Sequence, residues 1–390
     1  MRIAQIAPPW FPIPPKNYGG TENVLHHLVE EQVAQGHHVT LFAPGDARTS
    51  AEQVSFFPKS LVEDGVPWQA HLKAYYHLFK AVQYIKRHTF DIVHAHLSST
   101  TDMYLLPLLA SITTPHVTTL HSHFPFDNDA SDWTGDADRC FMEWMPAVPL
   151  VAISHCARAQ EKLSTNFVGV VHHGVPMDEY HTSKQQPRDF LMWIGRFVPE
   201  KGAHLAIHAA KSVNAQLILA GTVDRHVDAS VRYFQEVIKP CIDDKQIRYI
   251  GPANKEQKAE LFSHARGFLN PIEWEEPFGM VMIEAMSYGC PVISFDRGAA
   301  SEIIAHGTSG FLVNNVDEMV QHISRLSEID RDTVHDHAER HFSARTMAEN
   351  YTHVYKKAML MYRGVLALRL PEIATPTSIK RSRSRTPLKR

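Results

Sequence analysis

The chain has 390 residues, 44% of them hydrophobic and 21% charged, with a formal net charge of −3. That length exceeds one ordinary hydrophobic core and predicts two domains, and the composition is that of a soluble globular protein. The near-neutral balance gives no general preference for nucleic acid, and no window reaches the roughly 18 apolar residues that a membrane span needs.

In chain order, Arg2 to Ala7 reads as a strand, Thr21 to Gln35 as a helix with Thr21 as its N-cap and Gly36 at its end, and His38 to Ala43 as a second strand. Gln69 to Arg87 is a helical pattern, and Asp91 to His96, His116 to Leu120 and Leu150 to Ile153 are short β-rich runs. Such alternation predicts a parallel sheet covered by helices on both faces. A polar run from Asp178 to Asp189 follows His172-His-Gly-Val-Pro176, and then the pattern restarts. Phe190 to Gly195, Gln216 to Ala220, Ile247 to Ile250, Gly267 to Leu269 and Val292 to Ser294 read as strands. Ala203 to Ser212, Val231 to Ile238 and Lys255 to His264 read as helices between them. The fold class expected is α/β, with two doubly wound Rossmann-like domains facing across a cleft at residues 1–178 and 179–343. Residues 344–370 form a long helical pattern expected to pack back across both domains, and residues 371–390 form a basic tail.

The most informative segment is Glu273-Trp-Glu-Glu276-Pro-Phe-Gly279-Met-Val-Met-Ile-Glu284-Ala-Met-Ser-Tyr-Gly289. Pro277 biases Glu276 away from helical backbone, so Glu276 belongs to a loop, whereas Glu284 falls two turns into an apolar helix closed by Gly289. Free N–H groups at that helix start favour an anion, and the two carboxylates accept hydrogen bonds from sugar hydroxyls. Gly195-Arg196-Phe-Val-Pro-Glu200-Lys201-Gly202 sets two cations at the end of a strand, where they would neutralise a diphosphate. In the first half, Gly19-Gly20-Thr21-Glu22 offers two glycines that let backbone approach a ligand closely.

Among 26 histidines, His94 and His96 end one strand and His121 and His123 end another. A metal site there is conceivable by residue type, but lining of a polar cleft is the expected use, with His121 leaving its strand where ligands bind. Asp127-Asn-Asp129 and Asp136-Ala-Asp138 are read as loop acids of a long segment from Phe124 to Met145, so no metal and no cofactor is expected. That loop is a candidate to fold over an acceptor. Cys140, Cys156, Cys241 and Cys290 form no metal or disulfide spacing, and a reducing cytoplasm fits them. The amino-terminal apolar run is too short for the core of a signal peptide. Lys380, Arg381, Arg383, Arg385, Lys389 and Arg390 lie in a tail without acids, read as solvated, with weak contact to an acidic membrane surface as the alternative.

Taken together, Gly19 to Glu22, His121, Ser154, the Gly195–Gly202 segment and Glu276-(x7)-Glu284 resemble the family-4 retaining glycosyltransferases of the GT-B fold, over about Arg2 to Leu368. The resemblance implies roles position by position. Glu284 would bind the ribose of a nucleotide-sugar donor, with UDP-glucose the first candidate. Glu276, with backbone N–H groups around Phe278, Gly279 and Met280, would bind the donor sugar. Arg196 and Lys201, beside Gly195, would hold the diphosphate, and His121 would meet the transferred sugar near its 6-hydroxyl. Gly19, Gly20, Thr21 and Glu22 would line the phosphate and acceptor side. Where the family often has Asn-Gly-Val-Asp, this chain has His173-Gly174-Val175-Pro176, so no polar role is carried over there. The opening segment looks like a subgroup labelled as glucosyltransferases acting on a reduced pterin, with a lipid-linked or polysaccharide acceptor as the alternative. A nucleotide-sugar epimerase of the same fold, or a non-catalytic nucleotide-sugar binder, are the other functional readings. The oligomeric state is not legible in the sequence.

Overall fold

The computed structural model describes residues 1–16, 19–122, 148–160, 165–182, 187–225 and 227–367. His123, the Phe124–Met145 loop with its D-x-D pairs, Cys140 and the 371–390 tail lie outside them.

The first sheet consists of β1 (Arg2–Ile6), β2 (His38–Phe42), β3 (Glu52–Val54), β4 (Ile92–Leu97), β5 (His116–Leu120), β6 (Pro149–Ala152) and β7 (Asn166–Val170). Its order is β3-β2-β1-β4-β5-β6-β7, and every pairing is parallel. Helices α1 (Gly20–Ala34), α2 (His71–Ile85), α3 (Leu105–Leu109) and α4 (His155–Gln160) belong to this half. The second sheet holds β8 (Phe190–Arg196), β9 (Gln216–Thr222), β10 (Ile247–Tyr249), β11 (Gly267–Asn270), β12 (Val292–Phe295) and β13 (Gly310–Val313). It runs β10-β9-β8-β11-β12-β13, again all parallel. With it go α5 (Ala203–Ser212), α6 (Asp228–Tyr233), α7 (Lys255–His264), α8 (Met280–Ser287), α9 (Ala300–Ile303), α10 (Val316–Ile323) and α11 (Arg331–Phe342). The chain ends its described course in α12 (Ala344–Ala367).

Parallel strands buried on both faces read as continuous apolar runs, and the central strands here obey that rule. β4 is buried throughout although it carries His94 and His96. Local signals set the helix ends. Asn254 caps α7 by accepting from the Gln257 N–H at 2.8 Å, while the Gln257 side chain accepts from the Asn254 N–H at 3.0 Å. At the end of α8, the Gly289 N–H reaches the Met286 carbonyl at 2.8 Å and the Cys290 N–H reaches Ala285 at 3.0 Å. That pair of bonds is a Schellman closure, which needs the left-handed φ of +71° at Gly289.

Two expectations need correction. Thr21 is not the N-cap of α1: Gly19 is, at φ 157°, and the helix already includes Gly20. A glycine there turns the chain into the helix without any side-chain cap. The pattern Val231–Ile238 is not one regular α-helix, because α6 stops at Tyr233 and Phe234–Ile238 continues as π-helix.

α12 packs its Met347, Tyr351, Val354, Tyr355 and Ala358 stripe into the core of the first half, against α1, β5 and β7. Its start is clasped to the interdomain segment. The Val175 N–H bonds the Phe342 carbonyl at 2.9 Å, and the Ala344 N–H bonds the Val175 carbonyl at 2.7 Å. Gly174 permits this, since a Cβ there would lie 2.3 Å from the Ser343 carbonyl oxygen. No helix among the described residues is long and apolar enough to cross a membrane.

In each sheet the strand order reverses beside the first strand, between β1 and β4 and between β8 and β11. In open parallel sheets such points leave a crevice outside the carboxyl ends of the strands. The Gly19–Gly20 loop follows β1, the Arg196–Lys201 turn follows β8, and the Glu273–Gly279 turn follows β11.

Candidate active site

β8 and β11 are paired neighbours, so the turns that leave them must run side by side. The Glu273 N–H bonds the Glu200 carbonyl at 2.8 Å, and Gly202 closes the first turn at φ +69°. A Cβ on Gly202 would sit 1.9 Å from the Pro271 carbonyl oxygen, so only glycine allows the two turns this close. Lys201 is thereby brought to Glu276, and the two form an ion pair with side chains 21% and 16% exposed. The Trp274 indole N–H donates to the same Glu276 oxygen at 3.0 Å, and the Lys201 ammonium lies 5.0 Å from the Trp274 ring centre. From below, the Trp193 indole N–H bonds the Lys201 carbonyl at 3.0 Å. Glu276 is fixed through its backbone too: the Ala299 N–H reaches its carbonyl at 3.0 Å, beside Gly298 at φ +57°. Arg196 stands at the end of β8, exposed; its carbonyl accepts from the Val198 N–H at 2.9 Å, and its side chain makes no hydrogen bond or ion pair to another described residue.

Glu284 lies on α8 in an ion pair of 2.8 Å with Lys258 of α7. Each carboxylate of the Glu-x7-Glu element therefore has its own lysine. Gly279 precedes α8 at φ +100°, leaving the first N–H groups of the helix without a side-chain cap. Met280 is half-buried, whereas the Phe278 ring is buried against His172, His173 and Phe342. Only the backbone of Phe278 is thus left to meet a ligand. Gly195 has a packing reason to be glycine, since a Cβ would lie 3.1 Å from the Trp193 ring.

Phe278 also joins the two halves. Its ring meets His173 edge-on at 5.0 Å, and His173 stacks on His121 at 5.2 Å. Ser154, fully buried two residues after β6, donates to the Pro277 carbonyl at 2.6 Å and accepts from the Ala157 N–H at 2.8 Å. Glu302 reaches across from α9. It accepts from the His155 and Cys156 N–H groups, each at 2.7 Å, and lies 2.9 Å from His172 Nε2. Burial works against its charge, yet these bonds hold its carboxyl below the usual carboxylate range.

His121 leaves β5 with Nε2 2.9 Å from His96 Nδ1, while its own Nδ1 is buried and has no partner among the described residues. Burial pushes the imidazole down to about 3, so the ring is neutral at ordinary pH. At the Gly19–Gly20 loop the requirements differ. A Cβ on Gly19 would lie 2.8 Å from Pro15, whereas one on Gly20 would meet nothing. Thr21 is half-buried and Glu22 is buried beneath the loop. Burial raises the Glu22 carboxyl to about 7, with the charge of Asp102 adding to the rise. Asp102 sits after β4, the neighbour of β1 across the order reversal.

The structure thus brings together Lys201, Glu276, the start of α8, Ser154 and, through His173, His121. Lys258, Trp274, His173 and Glu302 escaped the sequence reading. The departure at His173-Gly174-Val175-Pro176 was its only signal, and the imidazole there supplies an aromatic face.

Two family models match the chain: Glycosyltransferase Family 4 over residues 18–148 and Glycosyl transferases group 1 over residues 178–341. Spore coat protein SA of Bacillus subtilis (strain 168) is 22% identical over 394 residues, covering 92% of this chain and 100% of that one. An uncharacterized glycosyltransferase of Methanocaldococcus jannaschii, MJ1607, is 28% identical over 189 residues, and that match spans about half of each protein, 45% and 47%. Among solved structures, Alr3699/HepE of Anabaena in complex with UDP and glucose aligns with a TM-score of 0.67 at 18% identity, covering 91% of this chain and 99% of that one.

Proposed function

The chain belongs to the GT-B glycosyltransferases, and from that premise we propose that it moves a hexose from a nucleoside-diphosphate sugar to an acceptor hydroxyl with retention of configuration. The observation that carries this reading is the Lys201–Glu276 pair, fixed at the adjoining mouths of β8 and β11 beside the uncapped start of α8. A sugar–diphosphate bond breaks through an oxocarbenium-like state as negative charge grows on the leaving phosphate. Cations held at that phosphate act more strongly in the transition state than before it. Lys201 and Arg196 take that role, and the N–H groups from Gly279 onward add a helix terminus to it. Glu276 exchanges its lysine for the hydroxyls of the donor sugar. Glu284, held in place by Lys258, accepts from the ribose, and His121 accepts from the sugar near its 6-hydroxyl. Gly19, Gly20, Thr21 and Glu22 border the phosphate and acceptor side. The leaving diphosphate takes the acceptor's proton on the same face, which gives retention without a protein nucleophile and without a metal.

UDP-glucose is the first donor to test, because HepE, of like fold, was solved with UDP and glucose. A reduced pterin is the first acceptor to test, followed by lipid-linked and polysaccharide acceptors. The experiment is a thermal-shift screen with UDP, GDP and ADP sugars. A donor present at 100 times its Kd stabilises by about 2.7 kcal/mol, so the right nucleotide stands apart from the others. Donor alone then separates the readings: slow hydrolysis supports transfer, whereas a new isomer of the donor supports an epimerase. No shift with any nucleotide sugar at millimolar concentration overturns the proposal.

A further inference from the structure

Beneath the first sheet's carboxyl edge lies a continuous chain of buried polar groups that the transfer step does not itself use. Gln5 on β1, Gln32 on α1, His94 and His96 on β4, Thr119 on β5, and Tyr351 and Tyr355 on α12 are all buried. Three nitrogens surround the Tyr355 hydroxyl: His94 Nδ1 at 2.7 Å, Gln32 Nε2 at 3.0 Å and Gln5 Nε2 at 3.3 Å. Gln5 Nε2 also donates to Gln32 Oε1 at 2.8 Å, and Gln5 Oε1 faces His96 Nε2 at 2.9 Å. His96 Nδ1 then faces His121 Nε2 at 2.9 Å. On the other branch, His94 Nε2 lies 2.7 Å from Thr119 Oγ1, which lies 3.0 Å from the Tyr351 hydroxyl.

A neutral imidazole has one donor and one acceptor nitrogen, so the direction of every bond between Tyr355 and His121 follows from one choice at Gln5. With both amides donating to Tyr355, the hydroxyl accepts twice and gives its single proton to His94 Nδ1. Gln5 Oε1 must then accept from His96 Nε2–H, which leaves His96 Nδ1 to accept from His121 Nε2–H. His121 Nδ1 is left as a bare lone pair. The reverse direction turns both amides over and sets two oxygens, those of Gln5 and Tyr355, 3.3 Å apart with no proton between them, since Tyr355 has already given its proton to Gln32. It has one hydrogen bond fewer in a site closed to water, and buried polar groups pay heavily for a missing partner.

We propose that Gln5, Gln32 and Tyr355 are positioning residues that lock His121, through His96, as the Nε2–H tautomer and so present Nδ1 as an acceptor for a ligand hydroxyl. The function of this acceptor rests on the glycosyltransferase reading above; its tautomer does not. The burial that keeps the four histidines His94, His96, His121 and His173 neutral supports the same picture. Recognition follows from it: a sugar hydroxyl can donate to Nδ1, whereas a donor analogue with fluorine in place of that hydroxyl cannot.

Long-range proton–nitrogen NMR of the 15N-labelled full chain reads the tautomer directly, with the His121 signals assigned by their loss in His121→Asn. The expected result is a protonated Nε2 and an unprotonated Nδ1 at His121. A protonated Nδ1 overturns the proposal whatever the activity. Tyr355→Phe removes the hub, and a mixture of His121 tautomers is expected, with kcat on the donor identified by the shift screen falling about tenfold and donor KM changing less than about twofold. An unchanged tautomer with unchanged kcat overturns the positioning role. Gln32→Leu removes one of the two amide donors and serves as the same test if Tyr355→Phe does not fold. Absence of turnover with every donor would refute the transferase reading and leave the tautomer result standing.

Discussion

Replacing Lys201 with alanine separates a structural role from a chemical one, because the two effects differ in size. Lys201 is paired with Glu276, but the Trp274 indole N–H holds the same carboxylate oxygen at 3.0 Å, so the mutation does not strand Glu276. Both side chains keep some contact with water, at 21% and 16% exposure. The stability loss should therefore be about 1–2 kcal/mol, a lost charge-assisted bond discounted for solvent, and the melting temperature should fall by only a few degrees. The effect on the reaction is larger. A fixed donor removed from a developing negative charge typically costs about 100- to 1,000-fold in kcat. Release of nucleoside diphosphate from saturating donor, measured beside thermal unfolding of the same sample, reads both quantities. A kcat within about threefold of the natural chain would refute the role given to Lys201, as would a loss of activity traceable to unfolding at the assay temperature.

Other substitutions test other parts of the account. Gly20→Ala introduces a Cβ that meets nothing, at a helix position where alanine is favoured by about 0.5–1 kcal/mol, so the chain should be as stable or more so. If ligand backbone approach is the reason for that glycine, donor or acceptor KM rises; unchanged kinetics would mean that no ligand comes near. Ser154→Ala leaves the Pro277 carbonyl and the Ala157 N–H without their partner inside the protein, which should cost about 2–4 kcal/mol in urea unfolding. A loss below about 0.5 kcal/mol would show that the Ser154 bridge does not tie the two halves together. Glu22 holds its proton up to about pH 7 in the folded chain, against about 4.5 for an ordinary glutamate. The folded state thus binds more protons between those values, and this group's contribution makes stability fall by about 3 kcal/mol as pH rises through them. Glu22→Gln should remove that fall and be the more stable form at pH 8, and an unaltered pH profile of urea unfolding would count against it.

The elements most legible in the sequence were those with both an apolar run and a boundary residue. β5 at His116–Leu120, α5 at Ala203–Ser212 and α7 at Lys255–His264 coincide with the reading end to end. β3, β7 and β13 were not read, and each lies at an edge of its sheet. β3 and β7 are largely half-exposed, with polar residues such as Glu52 and Asn166 that dilute the apolar signal. The helical period through Val231–Ile238 could not reveal a π segment, because a change of hydrogen-bond register leaves the sequence pattern nearly intact. In the site, Glu276 and Lys201 were legible because a turn chemistry and a strand end announce them. Lys258 was not, since its meeting with Glu284 depends on how α7 lies against α8. His173 and the Gln5–Tyr355 network were hidden for the same reason: β1, β4, β5, α1 and α12 are distant in sequence and converge only when the sheet is built.

The central claim is that one nucleoside-diphosphate sugar lies between the Gly19–Gly20 loop and the paired turns after β8 and β11. A crystal structure of the chain with UDP-glucose, or with the nucleotide sugar that the thermal-shift screen selects, tests it most directly. The account predicts the diphosphate at Arg196 and Lys201, the ribose at Glu284 and a sugar hydroxyl at His121 Nδ1. A nucleotide bound elsewhere, with Lys201 still on Glu276, would contradict it.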